Sequence, residues 1–388
     1  MLLTGPKLVH KDMPQPFAPR SFRTRPWAAL SALTASLALA GCASQGNALG
    51  YYWQSVRGHV QLMRSAEPLE DWIARTDIPL PLRERLQLAQ RARAFAVAEL
   101  GLPDNPSYRR YADLKRPAAV WNVVAAPPYS LTLHTWCFPV TGCIGYRGYF
   151  DEADAKAEAG RLAQEGLEVE VYGVPAYSTL GYMNWAGGDP LLSTFIGWPE
   201  GEFVRLLFHE LAHQVVYAKG DTLFNESFAT AVERLGSARW LAQQATPQAS
   251  TAFVASEARR REFRALTQAT RERLARIYAQ SDAPDRQAQK AAAMQFFRAD
   301  YAALRERWQA TPAQTAGYDR WVASANNASF AAQAAYNEFV PAFEAIFERE
   351  GRDWHRFYDA VRVLSEQPQA QRHEALRQLL PNQETPGA

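Results

Sequence analysis

The sequence predicts an α+β fold, mostly α-helical, in which a small β-sheet stands next to one buried helix and a long helical C-terminal half follows. Three observations carry this. In the run 200–218, Phe203, Val204, Leu206, Leu207, Leu211, Val215 and Val216 cover the whole circumference of a helix, so that helix is expected to be fully buried. Residues 118–175 hold short aromatic and β-branched stretches bounded by Pro and Gly, the pattern of strands. After residue 236 Ala, Arg, Gln and Glu dominate through Leu380, with breaks near Thr246, Pro284, Pro312 and Gly351.

From the start, Lys7, Lys11, Arg20, Arg23 and Arg25 precede an uncharged apolar segment, 27–40, that ends in Leu39-Ala40-Gly41-Cys42. A basic region, a short apolar region and small residues before a cysteine make a secretory signal over residues 1–41, with Met13 an alternative start. The Leu-Ala-Gly-Cys ending resembles a lipobox, which implies cleavage before Cys42 and a lipid on its thiol. The apolar segment is too short to be a good transmembrane helix, so the lipid is the expected membrane anchor and residues 42–50 its tether.

The 388 residues are 47% hydrophobic and 21% charged, ordinary globular composition that excludes wholesale disorder. The leader removes five bases and one acid, Asp12, so a net charge of +2 becomes −2 in the mature chain. That balance gives no nucleic-acid footprint. Beyond Cys42 only Cys137 and Cys143 remain, and in an oxidising compartment they can close a small loop as a disulfide.

Residues 51–114 read as helical, with one long helix from Leu82 to Leu100 stopped by Gly101 and Pro103. Strands are expected at 119–124, 130–136, 144–150 and 167–172, with an Ala-rich helix over 151–165 closed by Gly166. Residues 177–198, rich in Gly, Pro and aromatics, are expected to line a cleft. Pro199 and Gly220 bound the buried helix. The organisation is therefore 51–236 for the N-terminal helices, the sheet and the buried helix with the one after it, 237–380 for a helical part of the same unit, and 381–388 for a frayed tail.

Inside the buried run stands His209-Glu210-Leu211-Ala212-His213. Residues four apart share a helical face, so both imidazoles can reach one metal ion, while Glu210 follows His209 by about 100° and can contact the metal's water as a general base. Three buried polar groups are costly without partners, and Zn2+ with a water supplies them. A catalytic zinc takes a third protein ligand. Glu226, at the start of the next helix, is the candidate, with Glu233 seven residues on as the group orienting an imidazole or as a ligand itself, and Asp221 as a rival. His59, His134, His355 and His373 are solitary and read as structural or exposed.

His209–Gln214 together with Asn225-Glu226-Ser227-Phe228-Ala229 and Glu233 resembles the paired motifs of gluzincin aminopeptidases, with a shortened spacer. Most of the mature chain also resembles a family of Gram-negative lipoproteins predicted to be aminopeptidases. The shared stretches are Trp136-Cys137-Phe138-Pro139, Tyr146-Arg147-Gly148-Tyr149-Phe150, Ser178-Thr179-Leu180-Gly181 and Asp189-Pro190-Leu191-Leu192-Ser193-Thr194. The resemblance implies a zincin-like fold, zinc on His209, His213 and Glu226, Glu210 as base, a peptide substrate, and a lipid-anchored periplasmic location. Ala43 after the lipid cysteine points by the same resemblance to the outer membrane. Gly181-Tyr182-Met183-Asn184 carries no glutamate where those aminopeptidases hold the substrate's amino terminus. Asp189, Glu200 and Glu202 are the alternatives for that role, and Tyr146, Arg147, Tyr177 and Tyr182 the candidate oxyanion or substrate contacts. An envelope quality-control endopeptidase and a zinc-stabilised scaffold or chaperone remain the other readings.

Overall fold

The computed structural model describes residues 48–138, 142–181, 184–280, 285–334 and 338–380. The signal segment, Cys42, most of the tether, Tyr182 and the tail lie outside the described residues. The described part is α+β and mostly helical, as the sequence predicts. Residues from Trp53 onward form one unit, and 48–52 belong to another.

The central strand is β3 (Val120–Ala126), numbered after β1 (Glu67–Pro68) and β2 (Arg110–Ala112). It is buried from Trp121 to Ala126, because it lies between β6 (Arg147–Tyr149) and β7 (Glu168–Val174), both antiparallel to it. Val124 and Ala126 pack on Ala328 with Leu133, Tyr146 and Tyr172 around them. The helix α4 (Glu152–Gln164) also packs on β3 and β7, with Asp151 capping it by accepting from the Ala153 and Asp154 amides.

Three expectations need correction. Residues 130–135 are not a strand: Ser130 turns back onto Pro127 and its hydroxyl accepts from the Thr132 amide, so turn chemistry overrides β propensity. Residues 144–150 divide at Gly145-Tyr146 into β5 (Gly142–Ile144) and β6. β5 pairs with β4 (Trp136–Phe138) in a hairpin that sets Cys137 opposite Cys143, joined as a disulfide. The stretch 51–114 is not wholly helical either. Beside α1 (Ala48–Arg64), α2 (Leu69–Ala74) and α3 (Leu80–Leu100) it supplies β1 and β2, which form a second sheet with β8 (Leu191–Leu192). Strands of two or three residues carry no readable period.

The buried run forms α5 (Glu200–Ala212), which packs along α6 (Thr222–Gln243). It stops six residues before Ala218. The Gln214 and Val215 amides bond to Leu211 and Ala212, three residues back, and this tighter turn releases the chain toward α6. Gly220, at φ +77°, belongs to the turn before α6, and Asp221 caps that helix by accepting from the Phe224 amide. Nor is α5 fully buried: Glu202, Arg205, Leu206 and Glu210 are half-buried on one side.

Phe203, Leu207, Phe208 and Leu211 of α5 and Phe224, Phe228, Val232 and Trp240 of α6 form the main core. Phe95 of α3 stacks on Phe208, and α11 (Val340–Arg349) and α12 (Trp354–Ser365) bring Phe343 and Phe357 onto Phe228. The remaining helices are α7 (Pro247–Ala279), α8 (Arg286–Trp308), α9 (Pro312–Ser324), α10 (Asn327–Ala334), which carries Ala328, and α13 (Gln369–Gln378). A second core of Phe263, Phe297 and Phe330 binds α7, α8 and α10 together.

Phe208, with no exposed surface, directly precedes the first site histidine. Phe208→Ala is expected to lower the stability measured by urea unfolding by about 3–5 kcal/mol, the usual cost of a cavity of that size.

Candidate active site

His209 lies in the last turn of α5, His213 is that helix's C-cap, and Glu226 sits in the second turn of α6. The three are 7%, 7% and 9% exposed. Their ligand atoms form a tight triangle: His209 Nε2 to His213 Nε2 is 3.2 Å, His209 Nε2 to Glu226 Oε2 3.3 Å, and His213 Nε2 to Glu226 Oε2 3.6 Å. Around a tetrahedral ion with bonds of about 2.1 Å, ligand atoms stand about 3.4 Å apart. The two-imidazole, one-carboxylate donor set and this spacing fit Zn2+ with a fourth position left for water.

Glu233, nearly two turns beyond Glu226, places Oε2 2.9 Å from His209 Nδ1. With Nδ1 donating to that carboxylate, Nε2 keeps its lone pair toward the triangle. Arg205 donates from Nε to Glu233 Oε1 at 2.7 Å and from Nη1 to Glu257 Oε1 at 2.8 Å, so the buried carboxylate has a cation behind it. Burial lowers the pKa of His209, but Glu226 and Glu233 outweigh it and raise it to about 10. Burial raises the pKa of Glu226, and His213 and His209 overcome that to hold it at about 2. Both directions express one demand, a positive charge between this carboxylate and the imidazoles.

Glu210 is half-buried on the same turn. Burial pushes its pKa above the usual carboxylate range, against the pull of His209 and His213. Such a carboxylate is suited to taking up and returning a proton.

Around it stand groups the sequence did not single out. The Tyr108 hydroxyl is buried, and its pKa is pushed well up by burial and by the charge of Glu210, against the opposing pull of the Ser178 hydroxyl. Its backbone adopts φ +62°, rare for a bulky residue and often found at functional sites. Tyr146, one of the four proposed contacts, does lie at the site: burial and the charges of Glu226 and Glu210 push its hydroxyl well above the ordinary range. Tyr217 shares that environment. Arg147 instead pairs with Glu158, and the Tyr177 hydroxyl meets His59 Nδ1 at 3.1 Å.

The proposed holders of an amino terminus are all committed elsewhere. Asp189 is fully buried and accepts from the Thr179 amide at 3.0 Å and the Thr179 hydroxyl at 2.7 Å. Glu200 accepts from Trp240 Nε1, and Glu202 from Ser256 and Arg260, at the far end of α5. Asp221, the rival ligand, caps α6 and binds Arg372 and His373. Gln214, next to His213, accepts from Asn105 Nδ2 at 2.7 Å and donates to the Ser107 hydroxyl at 3.2 Å, which fastens the 105–108 loop to the end of α5.

A family model described as "Putative aminopeptidase" matches residues 50–376. The chain belongs to this family. No curated protein and no solved structure matches it. The matched span contains the whole histidine–glutamate constellation, and membership supports a peptidase at a coarse level.

Burial pushes the pKa of Asp189 up to about 6, beyond what its bonds from Thr179 offset. A folded-state pKa above the unfolded value means that ionisation opposes folding, so this residue's contribution falls as pH rises from about 4 to 6 and stays lost above. Asp189→Asn is therefore expected to gain about 2 kcal/mol relative to wild type between pH 4 and pH 7, read from urea unfolding at both pH values. A difference that does not change with pH contradicts this.

Proposed function

We propose that the protein is a zinc-dependent peptidase of the gluzincin type, acting as an aminopeptidase on peptides in the cell envelope. The observation that carries this is the triangle of His209, His213 and Glu226 atoms at 3.2–3.6 Å with Glu210 on the same turn of α5. His209, His213 and Glu226 would hold the zinc, and Glu233 would fix the His209 ring. Zinc, when bound, supplies Lewis acidity to a water and to a carbonyl oxygen.

The chain's own residues do the rest. Glu210 accepts the proton of the attacking water and returns it to the leaving amine. Tyr146, its hydroxyl kept neutral by burial and nearby carboxylates, donates a hydrogen bond where the carbonyl oxygen gains charge. A retained Glu210 speaks against a scaffold that keeps zinc for stability alone, since a structural site has no use for a base. The Leu39-Ala40-Gly41-Cys42 ending supports a lipid anchor on Cys42 and a periplasmic position, at the outer membrane given Ala43.

One observation favours the endopeptidase reading: Asp189, Glu200 and Glu202 are all occupied by protein partners, leaving none of them to grip a substrate's amino terminus.

Metal analysis and peptide cleavage separate the roles. Glu226→Gln is expected to lose zinc affinity by about tenfold or more, while Glu210→Gln keeps stoichiometric zinc and loses about 10²–10⁴-fold in cleavage rate. Full zinc retention by Glu226→Gln under a competing chelator removes Glu226 from the ligand set. For register, the aminopeptidase reading expects free-amine peptides to be cut faster than their acetylated counterparts, with single residues released first. Equal rates or internal first fragments hand the site to an endopeptidase.

A further inference from the structure

The first described helix, α1, has two unlike faces. Gln54, Gly58 and Leu62, four residues apart, form the packed side: Gln54 Oε1 accepts from the Phe150 amide at 3.1 Å, a Cβ at Gly58 would collide with the Phe150 ring, and Leu62 is 2% exposed. Trp53, Val56 and Val60 recur at three and four residues on the opposite side and are 70%, 56% and 37% exposed. Arg57 and Arg64 share that outer side and are exposed too. No Asp or Glu occurs anywhere in the helix.

Within the helix the apolar stripe is flanked by cations alone, the chemistry of a helix lying in a bilayer surface, while Asp113, Asp151 and Asp154 of neighbouring elements line the cavity beside Arg57. The indole sits at headgroup level, the valines reach the acyl boundary, and arginines extend along the stripe to lipid phosphates. A water-facing helix gains nothing from an exposed Trp beside two valines, and a like-charged partner would be repelled by Arg57 and Arg64. Among the described residues no helix is long and apolar enough to cross a membrane, so the contact is lateral. Five residues separate Cys42 from Ala48, a reach of at most about 21 Å, so a lipid on Cys42 holds the start of this helix close to the bilayer.

We propose that the Trp53, Val56 and Val60 face is a membrane-contact surface that lies on an anionic leaflet and fixes the orientation of the catalytic unit. The position of the membrane rests on the lipoprotein reading above, but the affinity of the face does not. Exposed apolar area gives the contact and the two arginines give its preference for negative lipids.

The test uses the mature chain, residues 42–388, carrying Cys42→Ser so that no lipid is attached. It is expected to co-sediment with vesicles of phosphatidylglycerol and phosphatidylethanolamine and to bind less to vesicles of phosphatidylcholine. Combining Trp53→Ser, Val56→Ser and Val60→Ser should weaken binding by about tenfold or more with helical content and peptide cleavage unchanged. Arg57→Gln with Arg64→Gln, which leaves the apolar stripe intact, should remove the preference for anionic vesicles. Failure of the parent chain to bind, or equal binding by the variants, overturns the proposal. A concentration-dependent dimer abolished by the serine substitutions also overturns it, giving the face to a second copy. Mass spectrometry of membrane-extracted wild-type protein decides separately whether Cys42 is acylated.

Discussion

Glu226 faces His209 and His213 across the α5–α6 interface, and the remainder of the site answers to that convergence. Three polar groups gathered in a core that includes Phe208, Leu211, Phe224 and Phe228 would cost several kcal/mol if left to themselves. The chain surrounds them with graded compensation. Glu233 takes the outer nitrogen of His209, Arg205 neutralises Glu233, and Glu257 and Glu202 share Arg205 near the surface, where Arg260 and solvent complete the series. Charge is thus passed outward in steps, and no carboxylate of the series stands alone in the core.

The parts of this arrangement that were legible in the sequence are those with a local period or a fixed spacing. His209, Glu210 and His213 declare their shared turn by number alone, and Glu226 and Glu233 stand seven residues apart on one face of α6. Strand β3 and the helix after Asp151 are equally readable, one from its aromatic and β-branched residues and the other from its Ala-rich run closed by Gly166. What escaped was decided at a distance. Arg205 meets Glu233 across 28 positions and Tyr108 comes beside Glu210 from a loop a hundred residues upstream, so no window of sequence connects them. The end of α5 escaped for another reason: Val215 and Val216 continue the apolar pattern, while hydrogen bonds of the tighter turn end the helix before them.

The two sides of the site are built differently. The side carrying His209, His213 and Glu226 comes from two packed helices, whose side chains are fixed by a continuous core. The other side comes from loops tied together by polar bonds: Asn105 and Ser107 to Gln214, Thr179 to Asp189, and the Tyr108 amide to the Asp189 carbonyl. Loops held by such bonds vary more easily than packed helices, so under the proposed function selectivity among peptides would belong to the second side and the hydrolytic chemistry to the first.

The short connection between α5 and α6 acts as a ruler. Asn225 grips both backbone groups of Ala218, accepting from its amide at 2.7 Å and donating to its carbonyl at 2.8 Å, one position before Glu226. Because each residue turns a helix by about 100°, one residue gained or lost inside α6 before Glu226 would swing its carboxylate off the imidazoles altogether. A change of length between Ala218 and Asn225 would break the grip before it reached the helix. Most surface connections in proteins drift freely in length. This one is held to count, and the number of residues between the second histidine and the glutamate is as much a part of the site as the side chains themselves.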